Sequence, residues 1–236
     1  MAKHGKRYVE AIAEVDRAKE YSPDEAVGLV KRMAYAKFNE TVELHLRLNV
    51  DPRQSDQQVR GTVSLPAGTG RTVRILVFAE GEAARAAEEA GADYVGVDDY
   101  VSRIQDGWLE FDVVVAIPQV MGKIGRLGRV LGPRGLMPSP RAGTVVQADD
   151  IAGTIQQLRQ GRVEYRVDRN ANLHIPIGKV SFTEEQLVRN MGAVMEAIVR
   201  ARPSAVKGQY IRRVTVTSTM SPGVRVEPAA ARDMRP

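Results

Sequence analysis

Thr41–Val50 reads TVELHLRLNV, and every second residue is apolar: Val42, Leu44, Leu46, Leu48 and Val50. A period of two places these five side chains on one face of an extended chain, so the stretch is predicted as a strand with one buried and one wet face. Val59, Val63 and Leu65 repeat the pattern over Val59–Leu65. Sheets with one wet face pair antiparallel. The texture changes after Ala67-Gly68-Thr69-Gly70. Thr72–Ala79 (TVRILVFA) and Phe111–Ile117 (FDVVVAI) are almost continuously apolar, as strands covered on both faces must be. Between them the sequence predicts an alanine- and glutamate-rich helix over 81–90, a short strand over 94–97 and a helix over 99–105. Strand, helix, strand, helix, strand at this spacing predicts a small parallel α/β unit.

The flanks share the alternating texture. Tyr8–Ala18 is amphipathic, and Ser22-Pro23-Asp24-Glu25 is a capping box that starts a helix running to about Ala34. After Asp149 a helix ends at Gly161. Arg162–Val167 and Asn172–Ile177 read as a hairpin turned at Arg169-Asn170-Ala171. A long helix spans Thr183–Arg200, and Tyr210–Ser218 closes the fold as a strand. The arrangement is α/β with two domains: an α+β split domain with an antiparallel sheet, 1–68 with 160–236, interrupted by an α/β insert over 69–159. The tail from about 228 is expected to be disordered.

Several function classes are excluded by what the chain lacks. It has no cysteine, hence no disulfide, thiolate metal site or cysteine nucleophile, which fits a reducing compartment. Its longest strongly apolar run, Val113–Ile117, is far short of the roughly 20 residues a bilayer requires. The basic N-terminus is followed by no apolar signal core. A cytoplasmic protein with no membrane partner is expected. Gly122-Lys123 is followed by Ile124, so the hydroxyl of a phosphate-binding loop is missing. Gly122, Gly125 and Gly128 are spaced by three, unlike a dinucleotide fingerprint, and Glu80-Gly81-Glu82 would repel a pyrophosphate. His4, His45 and His174 lie apart with no ligand-spaced carboxylates, and Asp98-Asp99 reads as a helix cap. No catalytic constellation, metal, cofactor or small-molecule substrate is implied.

Charge points elsewhere. Residues 69–120 hold four basic against ten acidic groups, whereas Met121–Val146 holds Lys123, Arg126, Arg129, Arg134 and Arg141 with no acid, among six glycines and three prolines. Such a ribbon suits a polyanion, because neutralised phosphates release counterions and glycines let backbone N–H groups approach closely. Near the C-terminus, Thr215, Thr217 and Thr219 share one face of an extended chain, and Met220 adds an adaptable apolar contact. Aromatic residues are only 5% of the chain, so base stacking is not the main mode. Small hydroxyls suit the shallow minor groove of RNA, where 2′-hydroxyls are exposed.

The stretch Leu127–Val145, LGRVLGPRGLMPSPRAGTV, resembles the signature of the large-subunit ribosomal protein family numbered one, which builds the mobile stalk beside the tRNA exit site. KFNETVEL (Lys37–Leu44), DQQVRGTVSLPAGTG (Asp56–Gly70), EAGADYVG (Glu89–Gly96) and the TSTM ending resemble the bacterial branch at matching spacings. The resemblance implies that the insert is a Rossmann-like three-layer domain that binds no nucleotide. It implies that the split domain grips the stalk segment of large-subunit rRNA, that the stalk moves with exit-site tRNA, and that the protein represses the messenger of its own operon. By position, the gripping set is Phe38, Glu40, Thr41, Thr217, Thr219 and Met220. Arg166, Lys179, Lys207, Ser221 and Gly223 are assigned to the same surface, and the ribbon is expected to face tRNA or stalk RNA. The family usually reads Thr-Met-Gly-Pro where this chain has Ser221, whose side chain is expected either to crowd a ribose or to add a hydrogen bond to it. The competing readings are a nucleotide-dependent α/β enzyme and a free RNA-binding regulator.

Overall fold

The computed structural model describes residues 5–236, apart from the side chain of Arg141, so His4 lies outside the described residues. In chain order the helices are α1 Lys6–Ala13, α2 Pro23–Met33, α3 Glu82–Glu89, α4 Asp98–Gln105, α5 Met121–Ile124, α6 Gly128–Leu131, α7 Ile151–Arg159, α8 Glu184–Arg200 and α9 Pro228–Arg232. The strands are β1 Thr41–Leu48, β2 Arg60–Ser64, β3 Ile75–Phe78, β4 Tyr94–Val95, β5 Val113–Ala116, β6 Arg162–Arg166, β7 Asn172–Lys179, β8 Ile211–Ser218 and β9 Val224–Val226. Two compact units form. One comprises the chain up to Gly70 with Gln160–Pro236, and the other is Arg71–Arg159.

In the first unit β7, β1, β8 and β9 form one antiparallel sheet in that order. The alternation in β1 sends Val42, Leu44, Leu46 and Leu48 into the core at 0–2% exposure. That face is covered by α8 on β7 and by α2 on β8 and β9. Both helices start in capping boxes: Ser22 with Glu25, and Thr183 with Gln186. Each box satisfies backbone N–H groups that a helix start leaves without partners.

The predicted hairpin of Arg162–Val167 with Asn172–Ile177 does not form. β6 pairs with β2 and β7 with β1, so the two strands enter different sheets. The turn itself is tight. Asp168 Oδ1 accepts from the N–H groups of Asn170 and Asn172, and Ala171 takes a left-handed φ of 61°. The expected disorder from about 228 is also overturned. The tail folds as α9, with Ala231 fully buried, and packs on α8 and β8.

The β2–β6 pair carries the two chain crossings of this unit side by side. Leu65 N–H donates to the carbonyl of Gly161 at 3.2 Å. Asn190 of α8, fully buried, locks the same place: Nδ2 donates to the carbonyls of Gly68 and Ile177, and Oδ1 accepts from Ala67 N–H. Gly161 has φ +100°, and a Cβ there would lie 2.6 Å from Gly68 Cα.

The second unit has a parallel sheet in the order β4-β3-β5. All four residues of β3 are buried, and Val114, Val115 and Ala116 are buried in β5. α3 packs with α7, and α4 with α5. Gly161→Ala is expected to destabilise the first unit by about 1–3 kcal/mol, through strain at positive φ and the backbone clash. Urea denaturation followed by circular dichroism measures it.

Candidate nucleic-acid interface

In the antiparallel sheet the start of β1 lies beside the end of β8, with Val42 opposite Ser218 and Glu43 opposite Thr217. The segments that continue from these ends, Tyr35–Thr41 and Ser218–Ser221, therefore meet. Glu40 joins them. Only 1% exposed, it accepts from Ser218 Oγ at 2.5 Å, Met220 N–H at 3.0 Å and Ala36 N–H at 2.8 Å. Burial pushes its carboxyl up, but the hydrogen bonds from Ser218, Met220 and Ala36 together hold it below the ordinary carboxylate value.

Further bonds tighten the same rim. Tyr35 OH donates to the carbonyl of Met220, Thr41 N–H donates to Thr219 Oγ1, and Lys179 Nζ donates to Thr41 Oγ1 at 2.7 Å. Thr217 Oγ1 donates to the carbonyl of Ser221 at 3.0 Å. Ser221 neither crowds the outer surface nor offers its hydroxyl to it. The residue is buried, its Oγ accepts from Ser218 N–H and lies 2.9 Å from Ser218 Oγ, and its backbone is not in the left-handed region. Gly223 is exposed in the following turn, where a Cβ would lie 2.8 Å from Thr215.

The rim presents apolar groups to solvent. Phe38 is 56% and Met220 47% exposed, and Val9 is the one other large hydrophobic exposed among the described residues. Glu40 is therefore an organiser of the rim, with its oxygens taken by protein donors. Arg166 and Lys207 are exposed but lie away from this cluster. Lys207 precedes β8, and the seven steps of that strand from Ile211 to Ser218 alone span about 23 Å. Arg166 stands opposite Arg60 in the β2–β6 pair.

Met121–Val146 is not an open ribbon. Its first part winds into successive short turns, and Val120, Ile124, Leu127 and Leu131 are buried in the second unit's core. Their spacing of four, three and four is helical, a pattern hidden behind the glycines. Lys123 is held by two acids of its own unit, Glu80 at 2.7 Å and Asp98 at 3.3 Å, which raise its pKa. Arg126, Arg129 and Arg134 are exposed, and the side chain of Arg141 lies outside the described residues. Gly122, Gly125 and Gly128 have open space where a Cβ would stand.

Residues 30–222 match the model of the ribosomal protein L1p/L10e family. The chain belongs to this family. It is 57% identical over its full length, and the relative's, to large ribosomal subunit protein uL1 of Chloroflexus aurantiacus. The protein of the same name from Chloroflexus aggregans is 56% identical, again over both full lengths. That of Thermomicrobium roseum is 56% identical over 97% of this chain and 95% of its own. The family is one of structural ribosomal proteins, which excludes the enzyme reading. The matched residues include both segments of the Glu40 rim and all of Met121–Val146.

Glu40→Ala is expected to cost about 2–4 kcal/mol, because the buried Ser218 hydroxyl and two N–H groups lose their acceptor. The wild type should keep this contribution above the ordinary carboxylate pKa and lose it as pH falls through the lowered folded-state value. The variant should lack that part of the acid dependence, as denaturation measured between pH 7 and pH 3 would record.

Proposed function

We propose that this chain is a cytoplasmic component of the large ribosomal subunit that binds the stalk segment of large-subunit rRNA through the Phe38–Met220 rim. One observation carries the reading: Phe38 and Met220 remain exposed while the segments bearing them are fixed by a buried carboxylate. A rigid apolar contact flanked by the Thr219 hydroxyl and the Lys179 ammonium suits the minor-groove face of a folded RNA, with its riboses and 2′-hydroxyls. Rigidity matters because groups that are already ordered cost little entropy on binding. The names of the relatives, all large-subunit proteins, favour this over a regulator that never joins the ribosome.

The reading extends to two further roles. The turns of Met121–Leu131 carry glycines that the interior of the unit does not require, beside Arg126 and Arg129. Each glycine in a helical turn costs up to about 1 kcal/mol relative to alanine, so its use there fits close approach of an outside backbone. We assign that backbone to tRNA at the exit site, whose release the stalk assists. A rim that reads RNA by shape also accepts a messenger presenting the same shape, which supports repression of the protein's own operon.

Met220→Asp is expected to weaken binding to a transcript of the stalk rRNA at least tenfold, because it puts a charge into a desolvated contact. Arg134→Ala should weaken it less than threefold. Filter-binding titration of both variants checks the order, and the reverse order would move the grip to the second unit. Replacing Gly122, Gly125 and Gly128 together by alanine should leave rRNA affinity unchanged and raise the melting temperature, while reducing crosslinking of exit-site tRNA to this segment in assembled ribosomes.

A further inference from the structure

We propose that the outer face of the antiparallel sheet holds a second phosphate-binding site for the same RNA, built from His45, Arg47, Asn172, His174, Arg213 and Thr215. This inference rests on the RNA-binding reading of the rim and extends it to a surface on which that reading does not draw.

The strand register assembles the site. β1 is an inner strand, and His45 stands opposite His174 of β7 on one side and Thr215 of β8 on the other. Two residues on, Arg47 stands opposite Asn172 and Arg213. His45 and Arg47 alternate with the buried Leu44, Leu46 and Leu48, so they face away from the core. A register shift between Arg47 and Leu48 inserts an extra residue in β8, and it leaves both Arg212 and Arg213 exposed. These residues line a shallow depression.

The groups are arranged as anion donors. Arg47 is oriented by the carbonyl of Asn170 and by Asn172 Oδ1. Arg212 donates to Asn49 Oδ1, and Arg225 of β9 lies opposite Thr215. The two histidines bring Nδ1 within 2.7 Å of Nδ1, with rings edge to face at 4.9 Å. That contact requires one nitrogen to donate and the other to accept, so in the free protein the pair lacks a full complement of protons. Burial, and then the neighbouring His174, lower the pKa of His45, partly offset by Glu43. The facing acids are Glu43, 3.7 Å from His45 Nε2, and Asp168, 3.6 Å from His174 Nε2. Against these two carboxylates stand Arg47, Arg212, Arg213 and Arg225. A phosphate arriving in the depression adds the negative charge that favours the protonated form of His45, so binding takes up a proton.

Reach is adequate. His45 lies four residues along β1 from Thr41, about 13 Å, so a folded RNA held at the rim passes over it.

The test titrates the full-length protein with a transcript of the stalk rRNA at several salt concentrations and between pH 8 and pH 6. Wild-type affinity is expected to rise at least threefold as pH falls over this range. Arg47→Gln with Arg213→Gln should lower the slope of log K against log salt by about 1.5, and weaken binding about tenfold at moderate salt, because two phosphates are no longer neutralised. His45→Gln with His174→Gln should flatten the pH dependence. In the wild type, which has three histidines, the imidazole nitrogen signals of His45 should move to imidazolium positions on saturation with RNA. Unmoved signals, or an unchanged salt slope in a folded arginine variant, would overturn the second site while leaving the rim reading intact. A wild-type protein that binds no stalk RNA would overturn both.

Discussion

Glu40 accepts hydrogen bonds from Ala36 and, 180 residues along the chain, from Met220, with Ser218 Oγ as its third donor. A carboxylate so buried is tolerable only when its oxygens are met by donors. The requirement runs both ways. The loop before β1 and the turn after β8 must stay together for Glu40 to be satisfied, and in staying they hold Phe38 and Met220 outward. The antiparallel pairing of β1 with β8 makes the arrangement possible by placing the start of one beside the end of the other. The candidate interface is thus a product of topology first and of side-chain chemistry second.

A similar economy governs charge at the strand ends of the second unit. Ligands of open α/β sheets approach the carboxyl ends of the strands. Here Glu80 follows β3, Asp98 opens α4 after β4, and Lys123 reaches both. The charges that a ligand would need are already paired with one another. Exposed pairs of this kind contribute little stability, but they neutralise one of the five cations of Met121–Val146 and leave Arg126, Arg129 and Arg134 facing solvent.

Much of the fold is legible because its signals are local. The period-two run of β1, the continuous apolar runs of β3 and β5, and the capping boxes at Ser22 and Thr183 each follow from spacing alone. The failures involve partners distant in sequence. Nothing in Arg162–Ile177 says that β6 and β7 enter different sheets, since that choice depends on β2 and β1. Pro228–Arg232 looks too short and alanine-rich to order itself, and it is ordered by α8 and β8. The helical period of Val120, Ile124, Leu127 and Leu131 is present in the sequence, but glycine at 122, 125, 128 and 132 obscures it. At the candidate interface, Phe38, Thr219 and Met220 stand on the rim. Glu40 and Ser221 turn inward, because only the fold reveals that Ser218 and two N–H groups wait there for acceptors.

The central claim is that the grip belongs to the first unit alone. Its most direct measurement replaces Arg71–Arg159 by a short Gly/Ser linker between Gly70 and Gln160, then titrates stalk rRNA alongside a circular-dichroism melt. The crossings are already adjacent at Leu65 and Gly161, and a chain of this size is sufficient for one core. The expected result is a cooperative melt and an affinity within about tenfold of the full chain, a difference of about 1.4 kcal/mol. A folded protein that no longer binds the RNA would contradict it.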